Sequence, residues 1–343
     1  MKKKFLLGSA IAWLALALAL LGILAGALTG LIDMQKFFNN HNLLRFSTTM
    51  VKQETTSIEN INTISVDSHH LSIKIYFTDD EEITICQYDN NTKNTFYLSE
   101  KNGELYINTD SYLQIALLNY NPRLEIYLPK TYAGNINLTS SSGSISCENH
   151  ASWRAVTLKT TSGSIKLEDG ISCLSLSAQS SSGSVKIGEI YADKDIFIKS
   201  TSGSLRLENL FTSEKITIET SSGSQKIGEL HSGAFKLSAT SGSIKAGTIE
   251  GGGTISTSSG SINIALAHFT ADTAIKATSG SVRVTFSEAQ NATLQISTNS
   301  GSIKSGEFEL LYDKSGRHAT GQIGTGKTCV ISVKTSSGSI YIN

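Results

Sequence analysis

Residues 163–183 read GSIKLEDGISCLSLSAQSSSG, and the fold of the chain follows from this stretch. After Gly163, Ile165 and Leu167 alternate with Ser164, Lys166 and Glu168, the pattern of a strand with one buried face. Asp169-Gly170 marks a turn. A second alternating run sets Leu176, Ala178 and Ser180 against Ser177 and Gln179, and Ser181-Ser182-Gly183 closes the unit. One unit therefore holds two short strands and two turns.

The unit recurs. Ser-Gly-Ser returns with its glycine at 143, 163, 183, 203, 223, 242, 260, 280, 301 and 338, in steps of 20, 20, 20, 20, 19, 18, 20, 21 and 37 residues. Thr320-Gly321-Gln322-Ile323 fits as a degenerate copy that splits the last step. Inward aliphatics keep their phase after the glycine (Ile145, Ile165, Val185, Leu205, Ile262, Val282, Ile340) and before it (Ile136, Val156, Ile196, Ile216, Leu294, Ile331). Three residues before each glycine the side chain is small, as at Ser140, Thr160, Ser180, Ser200 and Ala239.

No copy could bury two aliphatic ladders alone, so the copies must stack. The expected fold is all-β: a parallel β-solenoid of about 20-residue turns, two strands per turn, with equivalent strands about 4.8 Å apart. The glycine is expected to supply positive φ at the corner, its flanking serines bonding to the turn backbone. Pro122 and Pro129 are the only prolines, so none interrupts the repeats.

Met1-Lys2-Lys3-Lys4 precedes an uncharged apolar stretch, Phe5 to Ile32, longer than the roughly 20 residues a bilayer core needs. This predicts a single-pass anchor over residues 1–32, with the lysines cytoplasmic and the repeats outside the cell membrane. Ala25-Gly26-Ala27 leaves a cleaved signal peptide as the alternative. Residues 33–60 are expected as a juxtamembrane stalk, 61–130 as an irregular β cap or first turns, and 131–343 as the solenoid repeats.

The strand pairs, the segment Leu128-Pro129-Lys130 and the repeated Ser-Gly-Ser-Ile resemble the bacterial "putative adhesin" β-strand-repeat family of unknown function. The resemblance covers roughly residues 60–343 and implies a β-solenoid in the cell envelope, often behind an N-terminal membrane anchor. Several relatives lie in envelope-stress operons, which implies a sensing or protective role. The family brings no catalytic residues.

Motifs of chemistry are weak. Gly321-Gln322-Ile323-Gly324-Thr325-Gly326-Lys327-Thr328 matches the phosphate-binding loop pattern, but Cys329 to Val333 reads as a strand where that loop needs a helix. No nucleotide is expected. Cys86, Cys147, Cys173 and Cys329 lack metal spacing; Cys147 and Cys173 leave a bridge open. Asp79-Asp80-Glu81-Glu82 reads as a solvated hairpin tip, with a hard-cation site as the alternative. The 29 basic and 29 acidic side chains cancel, so nothing global favours nucleic acid.

One surface feature stands out. Three residues after the glycine lie Lys166, Lys186, Arg206, Lys226, Lys245, Arg283 and Lys304, interrupted by Asn263. Stacked at the strand spacing they form a line of charge suited to an extended polyanion. The bland reading is a solvated, aggregation-resistant surface, with Glu148, Glu168, Glu189, Glu208 and Glu229 neutralising part of it. The expected function is a non-enzymatic, membrane-anchored surface module that binds cell-wall polymer or an envelope protein, without cofactors. The alternative is a structural or regulatory part of an envelope-stress system acting through a membrane-protein partner.

Overall fold

The computed structural model describes residues 48–90, 92–110, 121–286, 291–325 and 329–343. The expected anchor, and residues 33–47 of the expected stalk, lie outside the described residues. Every regular element described is a β-strand.

Alternation dictates the coil. Ile165 pairs with Ile145 below it and Val185 above it, in parallel; Leu176 pairs with Ile196, and Ile196 with Ile216. Inward positions such as Ile165, Val185, Ile196 and Ile216 are at most 1% exposed, so a single apolar core runs through the stack. Burying each such side chain stabilises the fold by about 1.5–3 kcal/mol before entropy is counted.

The core has three inward ladders, where the sequence suggests two. Between them the step from one buried residue to the next lengthens from two to three: Ile187 to Ile190, Leu207 to Leu210, Ile227 to Leu230. The chain bends there, and Ile171, Ile190, Leu210, Leu230 and Ile249 line a third side. Because strands such as Val185–Ala192 and Leu205–Phe211 run through the bend, two strands per turn persist in mid-stack while the alternation slips phase.

The corner glycines are needed for space, not for φ. None is among the positive-φ residues, which include Gly170, Gly251 and Gly316. A Cβ at Gly203 would overlap the carbonyl oxygen of Gly183, and one at Gly183 that of Gly163. The corners thus stack backbone on backbone. The small residue three positions earlier serves this stack: Ser200 Oγ accepts from its own Gly203 N–H (3.0 Å) and donates to the Gly183 carbonyl (3.0 Å). Ser180 and Thr160 do the same one and two turns below. The buried hydroxyls of Thr160, Ser180 and Ser200 and the glycine N–H and C=O groups they meet are satisfied by this column, as a dry interior requires.

At both ends the order of turns departs from the order of the chain. The turn built from Thr63–Ser68 and Ser72–Thr78 lies against Asn135–Ser140 and Ile145–Cys147 on one side. On its other side lie Glu104–Asn108 and Arg123–Pro129, although these come later in the chain. In the same way Cys329–Ser337 and Ile340–Ile342 slot between the turn of Thr273–Ser279 and Val282–Phe286 and that of Ala292–Ser300 and Ile303–Ser305. Each end is then covered by antiparallel strands: Glu82–Asp89 and Thr49–Ser57 at one, His318–Ile323 and Leu310–Tyr312 at the other.

Four expectations change with this arrangement. The strand pairs Thr63–Ser68 with Ser72–Thr78 and Glu104–Asn108 with Arg123–Pro129 stack in register, so these first turns are regular; Leu71, fully buried, takes the corner glycine's place in the first. The end of the expected stalk, Thr49–Ser57, is a capping strand whose weak burial leaves little apolar signal. Thr320-Gly321-Gln322-Ile323 is not a turn of the stack; it runs antiparallel to Ala292–Ser300 as part of a cap. Asp79 to Glu82 is not a hairpin tip, because Arg123–Pro129 sits between the strands that it joins.

Candidate functional site

The residue third after each corner glycine points outward because the second and fourth point in. Lys166 pairs in register with Lys186, Lys186 with Arg206, Arg206 with Lys226, and Lys226 with Lys245. The ladder continues through Asn263 to Arg283. There the inserted C-terminal turn intervenes, so Tyr341 stands between Arg283 and Lys304. Both cations sit over its ring, with the Arg283 guanidinium carbon 5.2 Å and Lys304 Nζ 5.8 Å from the centroid.

At the other end the ladder runs from Lys166 through Ser146 to Lys74. All seven expected cations therefore share one ladder, and Lys74 joins them. Its turn carries no Ser-Gly-Ser, so the motif gives no phase by which to find it.

The carboxylates divide. Glu168 bonds Lys186 at 2.8 Å, and that bond together with the charges of Lys186 and Lys166 holds its carboxyl below the ordinary range. Both groups are exposed, so the pair adds little stability. Glu189 instead accepts from the Tyr191 hydroxyl (3.1 Å) and the Asn209 amide (3.1 Å), and Glu229 faces His231 (3.3 Å). Those two serve the next side of the coil. Among the described residues, Lys166, Arg206, Lys226 and Lys245 form no ion pair.

All four cysteines are buried and free, so Cys147 and Cys173 are not bridged. Burial pushes the Cys147 thiol up to about 11 and, with Asp193 adding to it, Cys173 to about 12. Such thiols stay protonated and unreactive. Asp79 pairs with Lys130 at 2.8 Å and Asp80 accepts from Thr78 at 2.7 Å. Among the described residues no three His, Cys, Asp or Glu side chains gather as metal ligands. In the phosphate-loop lookalike, Gly321 to Ile323 end one strand and Cys329 begins the next; residues 326–328 lie outside the described residues.

Residues 61–224 and 194–343 match, in two overlapping copies, the family model Toastrack DUF4097. No curated protein matches the chain. Among solved structures, a "putative adhesin" of Parabacteroides distasonis is 11% identical, with 85% of this chain and 96% of that one covered and a TM-score of 0.43. A "putative adhesin" of Bacteroides fragilis is 12% identical over 87% and 98%, with a TM-score of 0.35. A "putative cell adhesion protein" of Clostridium sporogenes is 11% identical over 85% and 98%, with a TM-score of 0.24.

Proposed function

The chain belongs to the Toastrack DUF4097 family, and on that premise we propose that it is a non-enzymatic surface-binding module of the cell envelope, held to the membrane by residues 1–32 with its repeats outside. Its ligand in this reading is an anionic cell-wall polymer. The observation that carries it is the unbroken run Lys166, Lys186, Arg206, Lys226 and Lys245 on five successive turns, of which only Lys186 is ion-paired among the described residues. A periodic line of exposed cations concentrates a polyanion because each added contact is repetitive and needs no shaped pocket.

Co-sedimentation of the full-length protein with purified wall tests it. Binding should weaken steeply with salt, since exposed charges are screened over about 8 Å at physiological ionic strength. Replacing Lys186, Arg206 and Lys226 together by Gln should remove most of the binding and leave the melting temperature unchanged. Equal pelleting of wild type and triple variant would sink the polymer reading and favour a membrane-protein partner. Protease added to wall-stripped cells checks the topology: repeats that survive alongside an intact cytoplasmic control would place them inside.

A further inference from the structure

On the neighbouring side of the coil, Tyr191, Phe211 and His231 occupy one ladder. Their rings stack at 4.8 Å, tilted by only 6° and 13°. The carboxylates of Glu189, Glu229 and Glu250 hold the edges of the column through Tyr191 and His231. The column ends at Tyr191. In the two turns beneath, the same ladder carries Ser172 and Ser152. One ring face of Tyr191, which is 45% exposed, is thus left without a stacking partner of its own chain.

The space beneath it is a groove of about 570 Å³ lined by Ser152, Trp153, Arg154, Ser172, Leu174 and Asp193 besides Tyr191. Two turns without a ring leave roughly 10 Å along the axis, room for a six-membered ring and its substituents. The rim is polar: Ser152, Arg154 and Asp193 are exposed, and neither Arg154 nor Asp193 forms an ion pair among the described residues. The Ser172 hydroxyl is held by His150 at 2.9 Å. In the floor, the indole N–H of Trp153 is buried without an acceptor, and the side chain is only 4% exposed.

We propose that this groove is a sugar-binding subsite in which a neutral hexopyranose of a glycan chain continues the aromatic column under Tyr191. A pyranose presents a face of C–H bonds to the electron-rich face of the phenol ring. Its hydroxyls meet the donors and acceptors of Ser152, Arg154 and Asp193, the few convergent polar groups that orient a small ligand. A planar aromatic ligand would use the ring face but waste this rim. The subsite is separate from the cation line and does not depend on charge.

The probe is chitotetraose, titrated into the full-length protein in nanodiscs with Trp13→Phe, which leaves Trp153 as the single tryptophan. Saturable change in Trp153 emission is expected. Ser172→Phe, which fills the slot with the protein's own ring, should weaken binding by at least about tenfold, as should Tyr191→Ala; Tyr191→Phe should stay within about twofold. Ser172→Phe extends an existing stack on a half-buried site, so its circular dichroism and melting curve check folding independently. Added salt, and Gln at 186, 206 and 226, should leave the titration unchanged, which separates this subsite from the polyanion reading. No saturable change in the parent protein, or equal affinity in Ser172→Phe, would overturn the proposal. So would saturation by a neutral phenylalanine-rich peptide in place of the oligosaccharide.

Discussion

The middle of the stack and its two ends are built from the same unit but assembled differently. From Ala151 to Leu266 each turn pairs with the turns next to it in the chain. At the ends, Ile73 pairs with Ile145 across 72 residues, and Ile340 lies between Val282 and Ile303. Stacked turns with one inward pattern are chemically equivalent neighbours, so the pattern specifies a coil without specifying which coil lies beside which. The ends use that freedom. Each terminal turn is pinned beneath or beyond a turn from elsewhere in the chain, so a chain end cannot fray alone as it does in a simple repeat array.

The largest expected effect tests this difference directly. Removing residues 329–343 should strip protection from residues 292–325 as well, because the outermost turn rests on the deleted one. Hydrogen exchange should show those amides falling to the level of fraying termini while residues 151–266 hold theirs. If 292–325 stay protected, the outer turn has slid into the vacated place and chain adjacency suffices.

The next effect contrasts two glycines. Gly203→Ala in mid-stack forces a methyl group into the Gly183 carbonyl and should cost more than about 4 kcal/mol in denaturant unfolding, an exceptional loss for one methyl. Gly316→Ala in the C-terminal cap meets nothing within 4 Å and strains only its φ of +66°, which costs on the order of 1 kcal/mol. Similar losses at both would mean that the corners are not stacked backbone on backbone.

The smallest contrast lies within one strand of the middle. Ile216→Ala should cost about 2–4 kcal/mol through the cavity it leaves, whereas half-buried Thr217→Ala should cost under about 1. Equal shifts of the melting curve would mean that the strand faces are assigned to the wrong sides.

Much of the candidate site was legible. Phase alone places Lys166, Lys186, Arg206, Lys226 and Lys245 on one line, since period 2 sends them opposite Ile165 and Leu167. Lys74 was hidden because Leu71 stands where its turn would need the marker glycine. Tyr341 between Arg283 and Lys304 was hidden because the two cations are neighbours in the repeat count and not in space. Glu189 and Glu229 looked like neutralising neighbours, yet the bend before Ile190 and Leu230 turns them towards Tyr191 and His231. The aromatic column escapes the sequence pattern because it lies on the outer face beside the third ladder, where alternation slips.

By itself, then, the sequence determined the coil: corner positions, the length of one turn and the direction of the side chains in the alternating runs on either side of each corner. These are local consequences of alternation and of residue size. Only the tertiary structure decided the order of turns at the ends, the use of Gly321 in a cap, and the reason for the glycines. Those depend on which backbone lies across the 4.8 Å step from which, and a repeat offers the same edge to every candidate neighbour.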